Sequence, residues 1–365
     1  MSRTPPLRSW AEIDLAALRQ NVRHAQSLFP DSGMMAVVKA DAYGHGILRV
    51  SKVCEELGAT FLGVANCGEA RSLQAAGRRT PIYVLGPTFP DEREEIVRAD
   101  WRPCVSSQGE IDHFQELAAA QQKQLAVHLA LDTGMGRGGY LPDRLDAAAE
   151  AVAAAPNLLL EGIGSHLPSP DEDVEFTTTQ LARFQKLTQR HKNLRWLHIA
   201  NSAGSLAYPQ SGANLIRPGL CLYGASPLPE FQDRFTPVMS LKSRVSIVRT
   251  LPKGHGISYG RQTILEHETP VATVGIGYGD GYPRAVSGKG SYVFLNGKNC
   301  PILGRVTMDQ IMIDVTHCPE TQSGDEVELF GKNIPVSRVA QWAGTIPWEV
   351  FTGITPRVTR VPINS

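Results

Sequence analysis

The sequence predicts an α/β protein in which a (β/α)8 barrel of the TIM type is followed by a mainly β C-terminal domain. Eight short apolar runs rich in Val, Ile and Leu recur in the first two thirds of the 365 residues, and amphipathic stretches of helical period lie between most of them. Beyond about residue 233 the chain alternates polar and apolar residues, with almost no helical period until about residue 336. The first pattern is typical of a parallel sheet covered by helices, and the second of antiparallel strands.

The eight apolar runs are the expected barrel strands. They lie at 35–39, 60–66, 81–86, 101–105, 125–131, 160–167, 194–200 and 215–223. The clearest helical patterns between them span 47–57, 68–76 and 174–191. Eight strand and helix units within about 220 residues fit a closed barrel better than an open doubly wound sheet, which usually has fewer strands.

The chain length favours two domains, because one hydrophobic core seldom grows beyond roughly 250–300 residues. We expect an N-terminal segment over residues 1–10 that packs with the β domain, the barrel over 11–232, and the β-rich domain over 233–365. Within the last domain, "LNGK" at 295–298 predicts a tight hairpin. No low-complexity linker separates the domains, so we expect them to pack together.

The charge balance and the cysteines narrow the class of function. Thirty-six basic and 36 acidic side chains give no general attraction for nucleic acid or an anionic membrane, and we expect neither as a partner. The N-terminal stretch lacks the apolar run of a signal peptide, which favours a cytoplasmic location. Six scattered cysteines form no CxxC pair and have no histidine at metal-ligand spacing, so we expect reduced thiols and no metal site.

Lys39 ends the first predicted barrel strand, in "AVVKADAYGHG" at 36–46. In a parallel barrel the catalytic groups lie at the C-terminal ends of the strands. One interpretation is a lysine that extends its charge to the barrel rim. The other is a Schiff-base lysine, because apolar surroundings lower the pKa of an amine and leave it able to attack a carbonyl. The residues alone leave both open and do not name the carbonyl partner.

Seven further stretches stand out along the chain. They are "DTGMGR" (132–137), "SH" (165–166), "HIANSAG" (198–204), "IRPGLCLYG" (216–224), "GISYGR" (256–261), "GYGDGYPR" (277–284) and "GRVTMDQ" (304–310). Together with "VVKADAYGHG" and the N-terminal "WAEIDLAALRQN", in this order, they resemble the alanine racemase family, whose members use pyridoxal 5'-phosphate (PLP). The resemblance covers nearly the whole chain, and the family's barrel followed by a β domain agrees with the fold predicted above.

The resemblance implies a PLP site at the barrel mouth. It assigns Lys39 as the lysine that holds PLP as a Schiff base. Tyr43 and Ser202, together with the backbone amides of Gly219 and Leu220, match the family's phosphate-binding positions. Such sites are common after the last strands of this fold, where amides and a helix N-terminus favour an anion.

Arg217 matches the arginine that faces the pyridine nitrogen in the family, and His166 matches the histidine that supports it. An arginine cannot accept a proton and is always charged, so it should hold that nitrogen unprotonated. The ring is then a poorer electron sink, which disfavours transamination. Without the motif, Arg217 would be interpreted as a surface ion-pair partner and His166 as a core histidine.

Racemisation needs one base on each face of the substrate's α-carbon. The resemblance assigns Lys39 to one face and Tyr259, in "GISYGR", to the other. A tyrosine needs nearby positive charge or hydrogen-bond donors to act as a base, and we expect His166 and Arg217 to provide them. In the family the tyrosine comes from the other subunit, so the resemblance implies a homodimer with composite sites.

Five further residues concern the substrate, which the resemblance identifies as alanine. Arg137 matches the arginine that helps to hold the carboxylate, and Met308 matches a residue whose amide meets it. Tyr278, Tyr282 and Asp309 fall where the family narrows its entrance. The sequence departs from the family at Ala130, where a lysine that positions the arginine is usual, and at Pro362, where a tyrosine that touches the phosphate is expected.

The resemblance implies an enzyme that supplies D-alanine for peptidoglycan. Three alternative functions remain. A broad-specificity amino acid racemase would share the scaffold but usually carries an export signal. A non-catalytic PLP-binding barrel would lack the β domain with Tyr259 and Met308. A Schiff-base aldolase would have no use for "IRPGL" and would be colourless when purified.

Overall fold

The computed structural model describes residues 7–364, and Met1 to Pro6 of the expected N-terminal segment and Ser365 lie outside the described residues. Its strands are β1 (Ser9–Asp14), β2 (Gly33–Val37), β3 (Phe61–Val64), β4 (Ile82–Val84), β5 (Arg102–Val105), β6 (Leu125–Ala130), β7 (Leu158–Gly164), β8 (Trp196–His198), β9 (Leu215–Ile216), β10 (Met239–Leu251), β11 (Gly256–Ile257), β12 (Thr263–Ile264), β13 (Thr269–Val274), β14 (Tyr292–Leu295), β15 (Lys298–Leu303), β16 (Ile311–Asp314), β17 (Glu326–Phe330) and β18 (Thr359–Ile363). Its helices are α1 (Leu15–Ser27), α2 (Lys39–Tyr43), α3 (Ile47–Glu56), α4 (Cys67–Ala75), α5 (Arg93–Ala99), α6 (Gln108–Ala120), α7 (Leu145–Ala154), α8 (Val174–Thr188), α9 (Ser202–Ala207), α10 (Val336–Ala343) and α11 (Pro347–Gly353).

The first eight-stranded sheet is the barrel. Its order is β8-β7-β6-β5-β4-β3-β2-β9, and every neighbouring pair is parallel. Main-chain hydrogen bonds from Asn214 to Leu197 and from Arg217 to Ala200, both 3.0 Å, join the ends of this order and close the barrel. Each of the eight expected strands is present, and the predicted fold class is confirmed.

The barrel interior is filled by side chains rather than open. Met35, Phe61, Tyr83 and Leu215 form a buried cluster inside it. A larger apolar cluster lies between the sheet and the surrounding helices. This two-layer burial is the reason that the strands are nearly continuous apolar runs in the sequence.

The second eight-stranded sheet has the order β13-β16-β15-β14-β17-β10-β1-β18. The N-terminal strand β1 belongs to this sheet, antiparallel to β10 and parallel to β18. It crosses the boundary expected at residue 11, because Trp10, Ala11 and Ile13 are all buried there. The "LNGK" hairpin is present: Leu295 pairs with Lys298, and both turn residues have positive φ, as a type I′ turn requires.

All six cysteines lie among the described residues, and none is bonded to another. The Sγ atoms of Cys300 and Cys318 approach to 3.6 Å inside the second domain. Within residues 7–364, no helix combines the length and the apolar character that crossing a bilayer requires.

Arg360 of β18 joins the second domain to the loop that follows β2. Its Nε donates to the carbonyl of Gly44 at 2.9 Å, and its two Nη atoms donate to the carbonyls of Ile354 (2.6 Å), Thr355 (2.6 Å) and Val358 (2.8 Å). The half-buried guanidinium thus satisfies four carbonyl groups at once. A cation that donates several such hydrogen bonds contributes more than a neutral donor.

We expect Arg360→Met to lower the free energy of unfolding by about 2–3 kcal/mol, since charged hydrogen bonds to carbonyls are lost and methionine replaces only the apolar stem. Urea unfolding measures the loss. Arg338→Met is the matched control, because Arg338 is exposed and its side chain bonds only Gln341 within residues 7–364, so its effect should stay within about 0.5 kcal/mol. Equal effects of the two variants would contradict this role for Arg360.

Candidate active site

The barrel mouth holds a cavity of about 620 Å³. Its wall includes residues that directly follow barrel strands: Lys39 after β2, His166 after β7, Ser202 after β8 and Arg217 after β9. Its volume lies within the range of pockets that hold drug-sized ligands. The candidate site therefore forms where the βα loops converge, as is usual for this fold.

The loop after β2 is a single left-handed turn. Ala40, Asp41, Ala42 and Tyr43 all have φ between 52° and 54°, a conformation that non-glycine residues seldom adopt. Left-handed helical geometry costs about 1–2 kcal/mol for each such residue. The turn persists only because its surroundings stabilise it.

Two carboxylates stabilise the left-handed turn. Glu69 accepts from the amide of Ala40 at 2.6 Å with one oxygen and from the amide of Ala65 at 2.8 Å with the other. Asp41 accepts from the amide of Ile47 at 2.8 Å and so ties the turn to the start of α3. Charged acceptors form strong hydrogen bonds to amides, which offsets part of the conformational cost.

The turn directs two side chains toward the cavity. Lys39 lines it, while the ring of Tyr43 packs against Tyr223 with centroids 4.8 Å apart and leaves its hydroxyl beside Gly219. A Cβ at Gly219 would lie 2.6 Å from that hydroxyl. Glycine is required there, and burial raises the pKa of Tyr43, so the phenol keeps its proton and can donate it.

Burial is the largest influence on Lys39 and lowers the pKa of its amine. The charge of Arg137 lowers it further, Glu69 opposes this, and Arg217 adds a smaller lowering. A larger fraction of the amine is therefore uncharged at neutral pH than for an exposed lysine. An uncharged amine is the form that attacks a carbonyl carbon.

Ser202 lies at the start of α9, whose N-cap is Asn201. Its oxygen accepts from the amide of Gly219 at 2.9 Å and from the thiol of Cys221 at 3.5 Å. Its own proton therefore remains available to an acceptor in the cavity. The Gly219 amide, expected to bind a phosphate, donates to Ser202 here, and its contact with a phosphate stays a prediction.

The guanidinium of Arg217 is held from three sides. Nη2 donates to the carbonyl of Ser165 at 2.6 Å and to Nδ1 of His166 at 3.0 Å, and Nη1 donates to Nδ1 of His198. The Nε–H group forms no hydrogen bond to residues 7–364, and Arg217 lines the cavity. The Nε–H group and the second N–H of Nη1 are therefore without a protein acceptor within residues 7–364.

His166 is uncharged at neutral pH. Burial, followed by the nearby positive charges with Arg217 first, lowers its pKa to about 3. Its Nδ1 also accepts from Arg217, which requires a lone pair on that nitrogen. His166 therefore adds no positive charge for a phenolate, while a hydrogen bond donated by its neutral ring stays a prediction. The cationic side chains among the described lining residues are those of Lys39, Arg137 and Arg217.

Four expected site residues lie on the second domain, outside the cavity of their own chain. Tyr259 is 69% exposed, Met308 51% and Tyr278 40%, and the carboxylate of Asp309 accepts from Arg357 at 2.8 Å. The amide of Tyr278 donates to the carbonyl of Thr307 at 3.0 Å. Because Thr307 directly precedes Met308, Tyr278 and Met308 lie close together.

Tyr282 departs from its expected place at the entrance. Its ring is fully buried inside the second domain, and its hydroxyl has no partner within residues 7–364. Burial raises the pKa of its phenol. Apolar neighbours in the second domain's core hold the ring away from the surface.

Ala130 and Pro362, the two departures from the family pattern, lie in different parts of the structure. Ala130 ends β6 and lines the cavity with Arg137, whose side chain is exposed. Pro362 is exposed, pairs with Ile13 across the β1–β18 ladder and does not line the cavity. Pro362 is therefore not part of the cavity wall within residues 7–364.

Sequence reasoning missed several residues of the cavity wall. Ile346 and Trp348 reach it from the second domain of the same chain, and Tyr83 and His198 line its floor. His198 stood inside a quoted motif but was given no role. Nothing in the local sequence marks Trp348, because its place depends on how the two domains pack.

The charges around Lys39 predict opposite effects of two neutral substitutions. We expect Arg137→Gln to raise the pKa of Lys39 and Glu69→Gln to lower it, each by up to about one unit. Competitive acetylation across pH, read by mass spectrometry at Lys39, measures both. Glu56→Gln is the control, because Glu56 pairs with Arg19 on the outer surface of the barrel. Shifts of the same sign in the first two variants would contradict the assignment.

Comparison with known proteins identifies the family. Residues 13–227 match the family described as "Alanine racemase, N-terminal domain" and residues 238–362 its C-terminal domain. The alanine racemase of Desulforamulus reducens is 39% identical over 97% of this chain and 99% of its own, and that of Syntrophobacter fumaroxidans is 40% identical over 95% of each. The crystal structure of alanine racemase from D-cycloserine producing Streptomyces lavendulae superposes with a TM-score of 0.93 and 36% identity, covering 99% of this chain and 98% of that one. The resemblance inferred from the motifs is thus confirmed, and the chain belongs to the alanine racemase family of isomerases.

Proposed function

We propose that this protein is a PLP-dependent alanine racemase that interconverts L-alanine and D-alanine with two bases, Lys39 and Tyr259. The observation that carries the proposal is one cavity lined both by Lys39, whose amine has a lowered pKa, and by the buried guanidinium of Arg217, whose Nε–H has no partner within residues 7–364. The D-alanine formed would supply peptidoglycan synthesis in the cytoplasm.

The cavity residues fit PLP at both ends of the cofactor. Tyr43 and Ser202 each have a hydroxyl proton to donate, and Leu220 begins a short 3₁₀ turn whose first amide has no partner within the turn. Gly219 keeps the floor of this cradle open, since a side chain there would strike the Tyr43 hydroxyl. These groups would hold the phosphate, and Lys39 would hold the aldehyde carbon. When bound, PLP supplies a carbonyl that captures amines and a conjugated ring that stabilises negative charge at Cα.

Arg217 would hold the pyridine nitrogen without a proton. Both Nη groups donate to protein acceptors, which orients the guanidinium, and its Nε–H can meet only a lone pair. A guanidinium does not give up its proton in this environment, although burial lowers the pKa of Arg217 to about 10. The unprotonated ring withdraws fewer electrons from Cα, which favours return of the proton to Cα and hence racemisation over transamination.

Lys39 would move the proton on one face of Cα. Its lowered pKa leaves the amine able to accept a proton at neutral pH once the substrate has replaced it on the cofactor. Arg137 lies in the same cavity, and its guanidinium would attract the substrate carboxylate. The charge of Arg137 thereby serves both the substrate and the amine.

Tyr259 would serve the opposite face from a second copy of the chain. The support is its placement: the side chain is exposed and does not line the cavity of its own chain, and Met308 and Tyr278 are exposed on the same domain. In a homodimer with two-fold symmetry, each second domain would complete the cavity of the other copy. The positive charges of Arg217 and Arg137 would then stabilise a phenolate in place of His166.

The reaction itself is tested with purified protein, L-alanine and PLP, with D-alanine followed by chiral chromatography. We expect D-alanine to form, with serine and lysine converted far more slowly, and Lys39→Ala to lose both the absorbance of bound PLP and racemisation. A coloured wild-type protein that converts no amino acid would overturn the proposal, as would full activity of Lys39→Ala. Lys52→Ala is the control, because Lys52 is an exposed lysine on α3.

Composite sites are tested with mixed dimers of Lys39→Ala and Tyr259→Phe, purified through a different tag on each chain. One of their two sites would contain Lys39 from one chain and Tyr259 from the other, so about half of the wild-type activity per dimer is expected. The two parent homodimers should be nearly inactive in the same assay. If Tyr259 acts on its own barrel, the mixed dimers have no complete site and stay as inactive as the parents.

A further inference from the structure

Arg217 carries a buried charge that no carboxylate contacts in the part of the chain that the structure describes. The residue is only 5% exposed, and its partners are two imidazoles and the carbonyls of Ser165 and Ile199. A cation in such surroundings is costly unless other groups compensate its charge. A chain of hydrogen bonds that begins at the imidazole of His198 connects Arg217 to a group that can compensate its charge.

A line of hydrogen bonds runs from Arg217 through the barrel interior to Glu161 on β7. Nη1 of Arg217 contacts Nδ1 of His198, and Nε2 of His198 lies 2.9 Å from Nδ1 of His128. Nε2 of His128 then lies 3.3 Å from a carboxylate oxygen of Glu161. Both histidines are 2% exposed or less. We call Arg217, His198, His128 and Glu161 the relay.

Only one arrangement of protons satisfies every contact of the relay when both rings are neutral. Arginine has no acceptor, so Nδ1 of His198 must carry a lone pair and its proton must lie on Nε2. That proton is donated to Nδ1 of His128, whose own proton must then lie on Nε2 and face Glu161. Burial, the largest cause, lowers the pKa of both histidines, which agrees with two neutral rings.

Two glycines on one strand, β7, leave space for the two imidazoles. A Cβ at Gly162 would lie 2.7 Å from the ring of His128, and one at Gly164 would lie 2.1 Å from the ring of His198. Tyr83 packs edge-on against both rings, at 4.9 and 5.6 Å between centroids. Glu161 lies on the same strand as the two glycines, so β7 both supplies the carboxylate and leaves space for the rings.

Glu161 is held as a carboxylate. Burial alone would raise its pKa, but the hydrogen bond from His128 and the positive charges of its neighbours outweigh that effect and lower it. Those neighbours are Arg102 at 3.4 Å and Arg195 at 3.5 Å, the latter largely exposed. The relay thus ends on a fixed negative charge near the barrel surface.

We propose that Glu161 is a positioning residue for racemisation, which orients Arg217 through the single tautomer that it imposes on His128 and His198. This inference rests on the proposed function, in which Arg217 faces the cofactor's nitrogen. Each neutral ring turns its lone pair toward Arg217 and its N–H toward Glu161. The dipoles of the two rings are therefore oriented so that they help to stabilise the buried charge of Arg217.

Loss of the acceptor at position 161 should disturb Arg217 in a defined way. In Glu161→Leu the Nε2 proton of His128 has no acceptor, so the proton on Nδ1 becomes competitive. His198 must then place its proton on Nδ1, where it meets the Nη1 proton of Arg217. Two donors facing each other repel, and Arg217 moves from its place.

Glu161→Gln keeps the relay while removing its charge. The amide oxygen of glutamine can accept from Nε2 of His128, so the tautomer of both rings is retained. His128→Phe breaks the relay one step nearer to Arg217 and keeps an aromatic ring beside Phe61 and Tyr83. Arg195→Ala removes an exposed ion-pair partner of Glu161 but no hydrogen bond of the relay, and it is the matched control.

The first measurement is NMR of histidine-labelled protein, in which nitrogen shifts distinguish protonation at Nδ1 from protonation at Nε2. We expect His128 and His198 to be neutral with the proton on Nε2 between about pH 6 and 8, in wild type and in Glu161→Gln. In Glu161→Leu, His128 and His198 should each no longer be present solely as the tautomer protonated on Nε2. The signal of His128 is assigned by its absence in His128→Phe. This result does not depend on the activity of the enzyme.

The second measurement is the pyruvate formed per racemisation turnover with L-alanine. Pyruvate is released by hydrolysis when the α-proton returns to the cofactor's carbon instead of Cα, and the amino group then stays on the cofactor. We expect Glu161→Leu and His128→Phe to lose about tenfold or more in kcat/KM for racemisation and to raise this ratio severalfold. Glu161→Gln and Arg195→Ala should stay within about threefold of wild type.

The two measurements separate the inference from the proposed function. Wild-type protein that forms no D-alanine would overturn the proposed function, while the NMR experiment still tests the relay. Active wild type with an unchanged pyruvate ratio in folded Glu161→Leu and His128→Phe would overturn the positioning role. Rings that are charged, or protonated on Nδ1, in wild type would overturn the relay itself.

Discussion

The buried charge of Arg217 constrains the barrel interior more than any other group. A guanidinium without a carboxylate partner must be surrounded by oriented acceptors, and the structure supplies carbonyls of the β7 and β8 segments together with the lone pairs of His166 and His198. Those acceptors require neutral imidazoles, which burial favours. One requirement thus accounts for the tautomers and for the glycines in β7.

A second constraint is the left-handed turn that follows Lys39. Four consecutive non-glycine residues in that conformation are unfavourable, so the turn depends on Glu69, on Asp41 and on the carbonyl of Gly44 that Arg360 binds. The last of these contacts comes from the second domain. The β domain therefore helps to hold the left-handed turn that follows Lys39 in its own chain.

The expected site residues of the barrel lie in a cavity, whereas several of those in the second domain lie on the surface. The barrel collects the cationic and hydroxyl groups in a cavity, whereas the second domain leaves Tyr259, Met308 and Tyr278 exposed. Exposed aromatic and apolar side chains that line no cavity of their own chain are typical of surfaces that contact another molecule. Trp348 shows that the second domain also reaches the cavity of its own barrel.

The sequence by itself determined the fold class, because strand and helix periods and the apolar runs of a doubly covered sheet are local properties. It also determined the family, and its motifs named Lys39, Tyr43, His166, Ser202 and Arg217, which the structure brings to one cavity. Only the tertiary structure decided that His166 is neutral, that Ser202 accepts from the Gly219 amide, that Pro362 does not line the cavity and that Tyr282 is buried. It alone joined His128, His198 and Glu161 into a relay, since burial and hydrogen bonding between residues 33 and 70 positions apart leave no local pattern to recognise.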